Sequence, residues 1–81
     1  MTMAKTLKTA DELETMILSE LNAFPKCQGV SMVTIRPITP DSRSGANWKV
    51  THVNYSTSLE SECARPIRQI VERLQDRFDL D

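Results

Sequence analysis

Apolar residues recur at Leu59, Cys63, Ile67, Ile70, Val71, Leu74 and Phe78, a helical spacing held for five turns. On a helical wheel these seven cover an arc of roughly 120°. Arg65, Arg68, Gln69, Glu72, Gln75 and Asp76 fill the opposite side. A helix of this kind has to lay its stripe on something, so the chain is read as a packed domain. Thr57-Ser-Leu-Glu60 has the form of a capping box and predicts a start near residue 58. Pro66 interrupts the backbone hydrogen bonding at a cost of about 3 kcal/mol. The stripe passes through it in phase, which predicts one helix kinked at 62–66 rather than a turn followed by a later start.

An earlier helix is predicted over residues 10–23. Thr9-Ala-Asp-Glu12 is a second capping box, and Leu13, Met16, Ile17, Leu21 and Phe24 follow at helical spacing. Pro25 ends it, because the residue before a proline is pushed out of the α region.

Between the helices lie two β-branched runs, Val30-Ser-Met-Val-Thr-Ile-Arg36 and Trp48-Lys-Val-Thr-His-Val-Asn-Tyr55. Residues 37–46 join them with two prolines, a glycine and short polar side chains. That is loop composition, and the two runs read as an antiparallel hairpin. The apolar positions predict a register with Val33 opposite Val50, Ile35 opposite Trp48 and Ser31 opposite His52. Val30 then meets Val53 on the other side. A shift that sets Arg36 against Lys49 is disfavoured, because like charges repel across a pair.

The expected fold is therefore α+β: α-β-β-α, an antiparallel two-stranded hairpin with two helices packed on one face. Residues 1–8 read as a flexible N-terminus and 9–81 as a single domain. The helices should cover Val33, Ile35, Trp48 and Val50. The other face would carry Val30, Met32, Val53 and Tyr55, too apolar for an ordinary solvent face. These four are the candidate interface, with a second copy of the chain or another protein as partner.

At 81 residues, a domain buries only about 60–65% of its unfolded surface and has a thin stability margin. Its two cysteines, Cys27 and Cys63, form no CxxC or Cys/His cluster. The N-terminal residues lack the apolar run of a secretory signal, and no stretch approaches a membrane span. The default expectation is a cytoplasmic protein with both thiols reduced, a Cys27–Cys63 disulfide being the less favoured alternative. Cys63 then acts as a small apolar residue in the helical stripe.

Net charge is −1, but its distribution is uneven. Only the middle is basic, through Lys26, Arg36, Arg43 and Lys49 against Asp41. Arg36, Arg43 and Lys49 are candidate nucleic-acid contacts, though three charges make a weak field and the loop holds no aromatic residue for base stacking. The helix arginines at 65, 68, 73 and 77 are interleaved with acids and read as a solvated face. Trp48 reads as core.

Little in the chain points to catalysis. His52 is the single histidine, and with only two glycines no Gly-rich phosphate loop can be built. A half-buried His52 hydrogen-bonded to Ser31 is the simplest account of that residue. No metal or cofactor is expected. The sequence reads as a small non-catalytic protein-interaction module, self-associating through the hairpin. A weak nucleic-acid binder is the alternative, and a small-ligand binder or enzyme the second alternative.

Overall fold

The structure is a computed structural model that describes residues 6–39 and 45–81. Its elements are β1 (Thr6–Lys8), α1 (Ala10–Leu21), a 3-10 turn (Pro25–Cys27), β2 (Met32–Pro37), β3 (Trp48–Asn54), α2 (Glu60–Arg77) and β4 (Phe78–Leu80). The two helices and the antiparallel β2–β3 hairpin make an α+β fold in the predicted order. A short parallel pair, β1–β4, is added at the ends. Thr6–Lys8 thus belong to a strand, where composition alone gave flexible chain.

The start of α1 follows from four residues. The Thr9 hydroxyl accepts from the Glu12 amide at 3.2 Å, and the Thr9 amide donates to the Glu12 carboxylate at 3.1 Å. Two otherwise orphaned donors are satisfied reciprocally. After Leu21 the winding tightens, with Ala23 bonded to the Glu20 carbonyl and Phe24 to that of Leu21, and Pro25 opens the 3-10 turn.

The start of α2 corrects the sequence reading. Its N-cap is Leu59, with no side-chain cap, so the Thr57–Glu60 box does not form. The Ser58 hydroxyl is engaged elsewhere, accepting from the Gly29 amide at 3.1 Å. Gly29 has to be glycine here, because a Cβ would collide with the Thr57 and Ser58 hydroxyls. Pro66 lies inside a single helix spanning Glu60–Arg77.

The hairpin register also differs. Met32, Val33 and Thr34 lie opposite Asn54, Val53 and His52. Beyond an irregularity, Ile35, Arg36 and Pro37 lie opposite Val50, Lys49 and Trp48. Thr51 is the extra residue, a β-bulge. Its effect is to flip side-chain alternation in mid-strand, so that Trp48, Val50 and Val53 all turn toward the helices. The disfavoured Arg36–Lys49 pairing occurs because both side chains are exposed to water, where repulsion is weak.

Leu13, Ile17 and Leu21 of α1 and Cys63, Ile67, Ile70 and Leu74 of α2 close over Val33, Ile35 and Trp48 in one core cluster. Trp48 is fully buried and donates its indole N–H to the Phe78 carbonyl at 3.0 Å. Asn47 holds the same strand, donating to the Leu80 carbonyl at 3.0 Å and accepting from its amide at 2.7 Å. The tail β4 is therefore fastened to β1 on one side and to the Asn47 and Trp48 side chains on the other.

Candidate functional site

The four residues expected to form an apolar outer face do not form one. Val30 is 8% exposed and belongs to the core, and Val53 and Tyr55 are half-buried against it. Only Met32, at 49% exposure, faces outward. The Thr51 bulge is the physical reason for Val53: one inserted residue carries it to the other side of the strand. The actual outer face is Met32, Thr34, Arg36, Lys49, His52 and Asn54, an ordinary polar surface. The bulge in β3 and Pro37 in β2 also interrupt the hairpin's two edges.

Arg36 and Lys49 come together as one rung of that face, while Arg43 lies outside the described residues. His52 is exposed, opposite Thr34 rather than Ser31, so the expected half-buried pair with Ser31 is absent. Ser31 instead donates to the Asn54 carbonyl. His52 lines a shallow cavity beside β3 with Thr51, Tyr55 and Glu60. Burial pushes the Tyr55 hydroxyl above its ordinary pKa, and the charge of Glu60 adds to this. Among the described residues no group of three or more His, Cys, Asp or Glu is placed to hold a metal ion. No helix among the described residues is long and apolar enough to cross a membrane.

The cysteines correct a further expectation. Cys27 and Cys63 are joined in a disulfide, with a Cα–Cα distance of 5.6 Å. Pro25 turns the chain back after α1, which brings Cys27 under the first turns of α2.

A further concave feature lies between the two helices. α1 and α2 run antiparallel, and an open groove follows their seam on the side away from the hairpin. Its central part has a volume near 600 Å³ and is lined by Thr15, Met16, Ser19, Glu20, Arg73, Leu74, Arg77 and Phe78. One end continues to Phe24, Gln69 and Ile70, the other to Lys8, Asp11 and Glu12. Glu20 and Arg73 form an ion pair across the seam.

The walls of this groove differ in sign. α1 lines it with Asp11, Glu12 and Glu20 and with no basic residue, Lys8 of β1 standing beside Glu12 at one end, whereas α2 presents Arg73 and Arg77. Donation from the Thr9 backbone amide holds the Glu12 carboxyl below its usual pKa; desolvation opposes this, and the Thr9 hydroxyl and Lys8 add to the lowering. The floor is Met16, Leu74 and Phe78.

A sequence signal for the groove does exist. Beside the core row Leu13–Ile17–Leu21 runs a second row, Met16–Glu20–Phe24, and beside Ile70–Leu74 runs Gln69–Arg73–Arg77. Both are i, i+4 rows flanking a buried one. Comparison of the chain with protein-family models, with curated proteins and with solved structures finds no match.

Proposed function

We propose that this protein is a small non-catalytic protein-interaction module that pairs with a second copy of itself through the α1–α2 groove. The observation that carries this reading is the pair of oppositely charged walls flanking an apolar floor. A two-fold axis lying along the groove sets each acidic α1 over the partner's Arg73 and Arg77, and each floor against the other. The contact is small. The groove follows α1 for about 18 Å, a contact length suited to the small end of stable interfaces. Association is therefore weak and concentration-dependent.

Sedimentation from tens to hundreds of micromolar tests this. The expected result is a concentration-dependent rise from the 9.2 kDa monomer toward twice that mass. Arg77→Glu and Met16→Lys should each abolish the rise while leaving the circular dichroism unchanged. A chain that stays monomeric throughout rejects the reading.

A second reading rests on the Arg36–Lys49 rung, two like charges held side by side on an exposed strand face. This favours an anionic partner such as a nucleic-acid backbone, bound through few phosphates and hence with a shallow salt dependence. Titration of labelled RNA and DNA against salt separates the two readings. Binding at low salt that weakens only gradually as salt rises, and that Lys49→Glu removes, would promote the second. The reduced thiols expected from a cytoplasmic setting are replaced by the Cys27–Cys63 bond.

A further inference from the structure

We propose that the Cys27–Cys63 disulfide is a permanent, reduction-resistant crosslink of the working protein, and that the chain accordingly matures in an oxidising compartment. The inference rests on where the two sulfurs sit and stands independently of the self-association reading. Cys27 is 1% exposed and Cys63 fully buried. The Cys63 sulfur lies 3.4 Å from the Lys26 carbonyl oxygen, and the Cys27 sulfur 3.9 Å from that of Glu62. The crosslink is bracketed by two further ties between the same segments. Lys26 pairs with Glu62 at 3.0 Å, and the Gly29 amide donates to Ser58.

Thiol–disulfide exchange requires a thiolate to reach one sulfur along the S–S axis. Here no such approach exists until the 3-10 turn and the first turns of α2 separate. Reduction of the folded protein is thus limited by opening of the structure rather than by the strength of the reductant. A regulatory disulfide has the opposite character, being exposed and labile. The crosslink also closes a 36-residue separation in a chain whose core is small, the setting in which secreted domains use disulfides.

Formation runs as an ordinary exchange with an oxidant of the disulfide class, either an oxidised dithiol protein or oxidised glutathione. One cysteine thiolate attacks the oxidant's disulfide, forming a mixed disulfide and releasing one thiol. The second cysteine, deprotonated, then displaces the other thiol. Two electrons pass to the oxidant, which departs as two thiols. The protons lost by Cys27 and Cys63 end on those thiols.

The test has three readouts. First, N-ethylmaleimide is added to cells that naturally express the chain, before lysis, and the intact mass is read. The expected mass carries no adduct, and two adducts appear only after reduction in denaturant. Second, the purified oxidised chain is held in reduced glutathione with N-ethylmaleimide present. Labelling should proceed no faster than unfolding measured separately. Third, the double variant Cys27→Ala/Cys63→Ala should melt at a markedly lower temperature than the oxidised parent. The proposal is overturned by two adducts on the trapped chain, by labelling that outruns unfolding, or by a double variant that melts with the parent.

Discussion

The helix layer is tied down at its two ends by different chemistry. At one end a covalent bond joins the 3-10 turn to the start of α2, supported by the Lys26–Glu62 and Gly29–Ser58 contacts. At the other end, about 22 Å further along α2, no covalent tie exists. There the tail β4 is held by β1, by both polar atoms of Asn47 and by the Trp48 indole, and Gln75 donates to the Trp48 carbonyl at 2.8 Å. A two-stranded sheet is too thin to hold two helices by area alone, so each end needs its own fastening. The covalent end acts largely by limiting the unfolded chain. The hydrogen-bonded end acts only in the folded state, and only while every buried group keeps its partner.

This contrast can be broken most forcefully at the covalent end. Closing a loop of this length is worth about 4 kcal/mol in the chain-entropy account, a large share of the stability of a small domain. Urea unfolding of Cys27→Ala/Cys63→Ala should show that loss together with a steeper denaturant slope, because the released unfolded chain exposes more surface. A loss without a change of slope would place the effect in the folded state and erase the distinction between the ends.

The hydrogen-bonded end should respond differently. Asn47→Ala leaves the Leu80 amide and carbonyl without their partner and should cost about 1–3 kcal/mol, with the denaturant slope unchanged. Combined with the cysteine double variant, its effect should add to within about 0.5 kcal/mol, since the ends share no partner. Strong coupling would show that the two fastenings act as one unit.

The smallest effect belongs to the start of α1, just past β1. Thr9→Ala should cost about 1 kcal/mol. Its pH dependence follows from Glu12, whose carboxyl is held below its usual pKa chiefly by the Thr9 amide. A lowered folded-state pKa means the unfolded chain binds a proton first as the pH falls. The cap's contribution is thus present near neutrality and fades as the carboxyl protonates. Glu12→Gln should flatten that part of the acid unfolding curve.

Local signals in the sequence were sufficient where the structure is local. Thr9 and Glu12 cap α1 as their spacing requires, and the middle of the α2 stripe is buried at Cys63, Ile67, Ile70 and Leu74, while its two ends fall outside the helix, Leu59 exposed before it and Phe78 in β4. The failures are all choices made between distant segments. The Thr57–Glu60 box is lost because residues 55–58 are held in a turn, Ser58 bonding back to the Tyr55 carbonyl and accepting from Gly29 twenty-nine residues away, so that α2 starts only at Glu60. The register turns on one extra residue, Thr51, and with it Val53 passes from the expected outer face to the core side. Nothing adjacent to Thr51 marks it as a bulge, since neither Val50 nor His52 beside it is a glycine or a proline. The disulfide depends on how Pro25 redirects the chain under α2. The strands β1 and β4, three residues each, are too short to leave a periodic trace.

The parallel pairing of β1 with β4 also determines how the domain bears a mechanical load. Because the two strands run the same way, the chain enters at Thr6 and leaves after Leu80 at opposite ends of the ribbon. Tension applied along the backbone therefore shears the pair, loading its hydrogen bonds together instead of peeling them one by one. Once the ribbon gives way, unravelling from either side halts at the disulfide, which shields the entire hairpin from the pull. The oxidised domain then lengthens by about 120–130 Å less than the reduced one, at 3.3–3.6 Å for each of the 36 residues withheld. In a tethered setting that makes it a short, self-limiting extension element.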